Sequence, residues 1–343
     1  MMERNYLKGA GLSVSRVCLG AMTFGGQADE KTSDSMLDMA LEAGINFVDT
    51  ANIYTGGKSE QILGRALKGR RDQVILATKA GMKKSAPAVT DPNEMGLSRR
   101  YLFQTVEKSL KALDTDYIDI FYLHKPDYNT PMEETLYALA DLIRQGKIRY
   151  FGLSNFPAWL AADMDGFCVT HGLPRPVIGE YVCNLLTRGI ESELIPCFKA
   201  HSMGIPAYNP LAGGLLTGKY TWQETPEGSN RFTLNKVYAG RYWKKENFEA
   251  VEALKEIAAR QGLSLLELAY AWCCFHPGVD TMILGASSLE QLAQNLGVSR
   301  QAVSRWELDE ALPESSNLLP LSKALGCSID WLLDPAQGPG TSI

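Results

Sequence analysis

Residues Asn46–Gly69 read NFVDTANIYTGGKSEQILGRALKG, and Val74–Gly81 read VILATKAG. A short apolar run, Phe47–Asp49, ends on a carboxylate. A glycine-bearing turn follows, and Glu60–Leu67 then carries helical spacing. A second apolar run, Val74–Ala77, leads directly to Lys79. The same alternation recurs outward in both directions. Predicted strands are Val17–Leu19, Phe47–Asp49, Val74–Ala77, Ile118–Leu123, Arg149–Leu153, Val177–Tyr181, Ile205–Tyr208 and Met282–Leu284. Predicted helices are Ser33–Ala43, Glu60–Leu67, Arg99–Leu113, Met132–Gln145, Leu160–His171, Glu191–Ser202, Glu246–Gln261 and Ser264–His276, the last opened by a Ser264/Glu267 capping box. Strands this continuously apolar belong to a parallel sheet covered on both faces. Eight such repeats predict an α/β protein of the (β/α)8 TIM-barrel type. An open doubly wound sheet would show G-x-G-x-x-G after the first strand, and Gly20, Gly25 and Gly26 lack that spacing.

Composition bounds the function. The chain has 343 residues, 45% hydrophobic and 21% charged, which excludes disorder as the dominant state. Its 39 acidic and 34 basic residues give a net charge of -5, against a polyanion-binding surface over the whole chain. No apolar run approaches the ~18–20 residues that cross a bilayer, so no membrane association is expected. The opening MMERNYLKGAGL has no apolar core of a signal peptide. Cys18, Cys168, Cys183, Cys197, Cys273, Cys274 and Cys327 are scattered and without C-x-x-C spacing, which argues against disulfides and a zinc site and for a cytoplasmic home.

Barrel chemistry sits past the C-terminal ends of the strands. There the sequence places Asp49 after the second strand, Lys79 after the third, His124 after the fourth, and Ser154 with Asn155 after the fifth. Each alone has a bland reading, but together they converge on one pocket. Tyr54 is the natural general acid among them. Its phenol ordinarily titrates near pH ~10, and a nearby ammonium favours the phenolate and eases proton release. A carboxylate keeps that ammonium charged, and a neutral histidine orients a carbonyl. These roles suit protonation of an oxygen while hydride arrives at carbon.

These residues, in this order, resemble the aldo-keto reductase superfamily over roughly residues 5–296, most closely its bacterial, potassium-channel-β-subunit-like branch. The resemblance is carried by Asn46–Gly69 and Val74–Gly81, with LDTDYIDIFYLHKPD (Leu113–Asp127), GKIRYFGLSNF (Gly146–Phe156), YNPLAGGLLTGKY (Tyr208–Tyr220) and ILGASSLEQLAQNL (Ile283–Leu296). It implies Tyr54 as general acid, tuned by Lys79 and Asp49, with His124 orienting the carbonyl. It implies NADP(H) as cofactor, with NAD(H) as the alternative. Ser154, Asn155 and Glu180 would hold the carboxamide and Tyr208 would stack on the nicotinamide. Asn209 and the loop Leu211–Leu216, with Leu211, Gly213 and Leu215, would lie along the pyrophosphate. Gly285, Ser287, Gln291 and Asn295 would receive the adenosine end. Arg231, in a long loop after the seventh strand, is the candidate for the 2′-phosphate.

Two departures stand out. Where the family usually has glutamine at the end of the sixth strand, this chain has Glu180. An ionised carboxylate accepts from an amide nitrogen but cannot donate to the amide oxygen, and its charge favours the oxidised, cationic ring. The loop GASSLEQ also lacks the basic residues of some branches.

The expected reductase domain is 1–296. From Ser288 to Pro335 the chain resembles a partial Cro/C1-type helix-turn-helix, a small all-α tail sharing helix Leu289–Leu296 with the barrel, before a flexible 336–343. Ser299, Arg300, Gln301, Ser304 and Arg305 would face DNA. Two facts oppose DNA as a partner. The usual first helix is missing, and Ser288–Ile343 holds three basic against seven acidic residues. A structural or dimerising role, giving a homo-oligomer, suits the tail better. Asp114, Asp119, His171, His201 and His276 read as structural, with no metal ligand among them. The loop Gly81–Gly96, with Met82 and Met95, and the loop bearing Tyr242 and Trp243 are candidate covers. The expected activity is reduction of a small aldehyde or ketone. The alternatives are an NADP(H)-binding redox sensor or transcriptional regulator, and an inactive barrel.

Overall fold

The structure, a computed structural model, describes residues 2–82, 91–224, 230–234 and 236–297. The strands are β1 (Arg4–Leu7), β2 (Leu12–Ser15), β3 (Val17–Gly20), β4 (Phe47–Asp49), β5 (Ile75–Ala80), β6 (Ile118–Leu123), β7 (Ile148–Ser154), β8 (Ile178–Val182), β9 (Pro206–Tyr208) and β10 (Thr281–Gly285). The helices are α1 (Glu30–Glu42), α2 (Lys58–Ala66), α3 (Arg99–Ala112), α4 (Met132–Arg144), α5 (Ala158–His171), α6 (Leu194–Ala200), α7 (Arg231–Leu234), α8 (Lys236–Tyr242), α9 (Lys245–Arg260), α10 (Leu265–Phe275) and α11 (289–297). Strands β3 to β10 form a closed barrel in the order β10-β3-β4-β5-β6-β7-β8-β9, the pairings from β10 through β8 being parallel. All eight expected barrel strands are present. The antiparallel β1–β2 hairpin is an addition that the sequence reading did not include.

The described residues fall into two compact units. One lies within Met1–Tyr181, Glu193–Pro206 and Asp280–Ala293, the other within Val182–Ser192, Ala207–Val279 and Gln294–Ile343. In the first, β3, β4 and β6 are almost wholly buried, which is why their sequences are nearly unbroken apolar runs. Gly152 of β7 sits opposite Tyr122 of β6, and a Cβ there would come 2.7 Å from the tyrosine ring and 2.5 Å from Ile178. Only glycine leaves room for that aromatic inside the barrel. Helix α1 starts at Glu30, where Asp29 accepts from Thr32 N at 2.8 Å, three residues before the expected Ser33.

In the second unit, α10 carries the expected capping box: Ser264 Oγ accepts from Glu267 N, and Glu267 accepts from Ser264 N. The expected long loop around Arg231, Tyr242 and Trp243 is largely helical. Arg231 opens α7 and Tyr242 closes α8, almost fully buried. Trp243 packs edge-on against Tyr220, Phe232 and Phe248 at centroid distances of 5.0–5.6 Å. Tyr242 is therefore core and Trp243 is half-buried at the edge of an aromatic cluster, since large rings gain by packing together. Helix α6 begins at Leu194, three residues later than expected. Helix α11 bears out the expected helix at 289–296, while the tail from 298 onward lies outside the described residues.

Candidate active site

Asp49 is the last residue of β4, His124 follows β6, and Ser154 closes β7. Lys79 lies within β5 rather than after it, because the strand runs to Ala80. Its Nζ donates to Asp49 Oδ1 and, at 2.9 Å, to the carbonyl of Thr50. Glu180 Oε2 lies 3.2 Å from the same ammonium. The Tyr54 ring centroid is 5.3 Å from Lys79 Nζ and that of Tyr122 is 5.6 Å.

Lys79 is fully buried, so the charges around it decide its state. Burial alone would favour the neutral amine, but Asp49 and Glu180 outweigh it and hold the lysine above its usual range. Burial raises Asp49 against the pull of Lys79. Burial and then the Asp49 carboxylate push Glu180 up to about 8. Asp49 accepts a hydrogen bond from the ammonium, and the Glu180 carboxyl meets both Lys79 and Asp49. Burial and the Asp49 charge favour the proton on Glu180. The fixed negative charge expected from the sequence becomes a pH-dependent one.

His124 is buried, and its ring stands edge-on to Tyr54 at 6.2 Å and 81°. Burial, then the ammoniums of Lys79 and Lys125, press it down to about 3, so it is a neutral imidazole at ordinary pH. Its Nδ1 has no hydrogen-bond partner among the described residues. Tyr54 opens the 3-10 turn Tyr54–Gly57, pinned by Tyr54 N to Ala51 O (3.0 Å) and Thr55 Oγ1 to Phe24 O (2.7 Å). Thr55 has φ 49°, a left-handed conformation that costs a non-glycine residue about 1–2 kcal/mol. Asn155 (φ 61°), Asn209 (φ 63°) and Ala212 (φ 50°) share it, all just past barrel strands. Such strain gathers where geometry is held for a purpose. Asn155 Nδ2 donates to His124 O (3.2 Å) and Ser154 Oγ (2.9 Å), tying the ends of β6 and β7 together.

Ser287 donates from its N–H and Oγ to Gln291 Oε1 at 2.8 and 2.9 Å. Beside them is a cleft of about 550 Å³ lined by Gln27, Lys31, Thr32, Ser287, Ser288 and Glu290, among others. Gly285, which ends β10, precedes it in the chain. The sequence reading missed Lys31 and Thr32 because it started α1 at Ser33; the Asp29 cap was the signal that could have found them.

The other named residues belong to the second unit. Tyr208 closes β9, and Arg241 of α8, not singled out from sequence, hydrogen-bonds it. Asn209 is committed to structure: its Oδ1 accepts from Gly213 N at 2.7 Å and its Nδ2 donates to Tyr242 OH at 2.7 Å. Asn184 braces the same spot through Asn209 O at 2.9 Å. The N–H groups of Ala212, Gly213, Gly214 and Leu216 donate within the loop, so they are less open to phosphate than expected. Leu215 is buried, Leu211 half-buried, and Arg231 lies 5.3 Å from the Tyr238 ring. Asn295 is buried on α11.

Four of the buried polar atoms without a hydrogen-bond partner among the described residues, Asp49 Oδ2, Tyr122 Oη, His124 Nδ1 and Glu180 Oε2, belong to this group of side chains. Such groups are costly unless something meets them. With Ser154 and Asn155 alongside, this donor and acceptor set fits an amide-bearing nicotinamide and a carbonyl. No group of metal-ligating residues occurs among the described residues, and none of their helices is long and apolar enough to cross a membrane.

The aldo/keto reductase family model matches residues 16–310, running past Leu296, where the resemblance was expected to stop. The chain is 36% identical over 302 residues to a probable voltage-gated potassium channel subunit beta of Oryza sativa subsp. japonica, covering 86% of this chain and 90% of that one. It is 38% identical over 300 residues to aldo-keto reductase family 7 member A3 of Homo sapiens, covering 82% and 88%. To aflatoxin B1 aldehyde reductase member 2 of Rattus norvegicus it is 36% identical over 320 residues, covering 88% and 84%.

Proposed function

The chain belongs to the aldo/keto reductase family, and on that premise we propose that it is an NADP(H)-dependent reductase of small aldehydes or ketones. The observation that carries this reading is the buried Lys79 ammonium, clamped by Asp49 and lying 5.3 Å from the Tyr54 ring centroid. That arrangement costs several kcal/mol in desolvation and is retained for a task. A pure sensor has no need of Tyr54 beside Lys79. The relatives named as aldehyde reductases support an aldehyde as substrate.

When bound, NADPH supplies the hydride. Tyr54 donates its phenolic proton to the carbonyl oxygen. Lys79 stabilises the phenolate left behind, and Asp49 keeps Lys79 charged and in place. His124, as a neutral imidazole, hydrogen-bonds the same oxygen and sets its direction. Ser154, Asn155 and Glu180 hold the carboxamide. Tyr208, Asn209, Leu211, Gly213, Leu215, Arg231, Gly285, Ser287, Gln291 and Asn295 keep the cofactor roles that the family resemblance implies, and Lys31, on the cleft beside Ser287, is a separate candidate for the 2′-phosphate. The free cysteines among the described residues fit a reducing, cytoplasmic setting.

The test is NADPH oxidation over a panel of aldehydes, with Tyr54→Phe beside the wild type. Turnover that collapses in the variant while NADPH still binds supports the reading. Binding without turnover in the wild type overturns it.

A further inference from the structure

Asp49, Lys79 and Glu180 meet in a space closed to solvent, with side-chain exposures of 4%, 0% and 6%. With both carboxyls ionised the trio carries a net negative charge. With one protonated it is neutral. An uncompensated buried charge costs several kcal/mol, so the trio keeps one additional proton at neutral pH. Geometry says where. Asp49 takes the ammonium's hydrogen bond, while Glu180 Oε2 stands 3.2 Å from that ammonium and its carboxyl also meets the Asp49 carboxyl.

The other titratable groups acting on this cluster do not offer a second cation. Cys18 of β3 and Tyr122 of β6 are held protonated and neutral by burial, with Asp49 and Glu180 reinforcing that state. His124 is neutral, pressed down by burial and by Lys79, and the Tyr54 ring centroid lies 5.3 Å from the ammonium. Lys79 therefore serves two acids. Glu180 is also the register partner of Ser154, and its carbonyl accepts from Asn155 N at 3.4 Å. Its carboxyl thus belongs to the group of side chains assigned above to the carboxamide.

We propose that Glu180 is a proton-switched positioning residue for the nicotinamide. As a neutral acid, its proton shared with the Asp49 carboxylate, it sets no charge beside the ring. On losing its proton to solvent it adds a negative charge that favours the oxidised, cationic ring over the reduced, neutral one. The protein then prefers NADPH at lower pH and shifts toward NADP+ as pH rises. This inference rests on the reading of the site as a nicotinamide site.

The experiment measures the dissociation constants of NADP+ and NADPH separately, by quenching of intrinsic tryptophan fluorescence, from about pH 6 to about pH 9. Both cofactor forms carry the same phosphates, so phosphate ionisation cancels in the ratio. In the wild type, the ratio of the NADP+ to the NADPH constant should fall on the order of tenfold across the range, one new charge acting on one other at close quarters. In Glu180→Gln the ratio should be flat. Asp49→Asn removes the rival carboxylate and should move the wild-type midpoint to lower pH, which keeps the test open if the glutamine variant fails to fold. A pH-independent wild-type ratio, an equal slope in Glu180→Gln, or an unmoved midpoint in Asp49→Asn overturns the switch and leaves the proposed reductase standing. Failure of either cofactor form to bind at any pH overturns both.

Discussion

Glu180 Oε2 lies 3.2 Å from Lys79 Nζ, and the two side chains come from strands about a hundred residues apart in the chain. That one contact joins the stability of the barrel to its chemistry. Lys79 is the cation on which two buried acids depend.

Removing Lys79 should therefore cost more than removing either acid. Lys79→Met leaves Asp49 without its charged donor in a closed space. Urea unfolding should show a loss of about 3–5 kcal/mol, the usual cost of breaking a buried pair. A loss below about 1 kcal/mol would mean that water reaches the cluster.

Tyr54→Phe should lower carbonyl reduction by about a hundredfold to ten-thousandfold, the usual worth of a positioned general acid. NADPH affinity should stay within about twofold, because the phenol acts only on the developing alkoxide. Steady-state kinetics beside a fluorescence titration checks both. A comparable loss of affinity would make Tyr54 a binding residue.

Stability should respond to pH at both ends. Glu180 rises from an unfolded value of 4.5 to about 8. Between those values the folded protein holds a proton that the unfolded chain has released, so stability falls as pH rises through that window. His124 drops from 6.5 to about 3. Between these the unfolded chain binds the extra proton, so stability falls as pH drops below 6.5. The melting temperature should lose its decline toward about pH 8 in Glu180→Gln and part of its acid decline in His124→Gln.

Asn209→Ala removes the acceptor for Gly213 N and the donor to Tyr242 OH. Leaving Gly213 N unmet should destabilise the protein by about 1–3 kcal/mol, since Tyr242 OH keeps its bond from Asn184. Cofactor affinity should weaken as the 211–217 turn loses its brace. Thermal unfolding and a binding titration, compared with Asn209→Asp, separate the lost bonds from a change of shape.

A histidine held neutral by burial gives no titration in the ordinary range. The His124 ring resonances should stay constant from about pH 5 to about pH 8 in NMR, while those of an exposed histidine move. Movement of His124 with a midpoint near about 6.5 would show that the ring is solvated.

The barrel was legible because its parallel strands are buried on both faces, so β3 to β10 each left a short, largely apolar run. The β1–β2 hairpin left no such mark: four-residue strands with Arg4 and Tyr6 exposed look like any polar loop. Tyr242, expected in a loop, closes a helix, while Trp243 does lie between two helices. Short helices with aromatics on several faces lack the spacing that distinguishes a helix from a loop.

By itself the sequence determined the fold class, the alternation of elements and the residue types gathered past the strand ends, since these follow from local periodicity and from the chemistry of single side chains. Only the tertiary structure decided how those residues share charge. A glutamate reads as ionised in a sequence. Whether it keeps its proton depends on burial and on how many acids one ammonium must serve. Here Asp49 and Glu180 compete for Lys79 where all three side chains are buried, and electrostatic energy in such a place is set by distances between strands that are far apart in the chain.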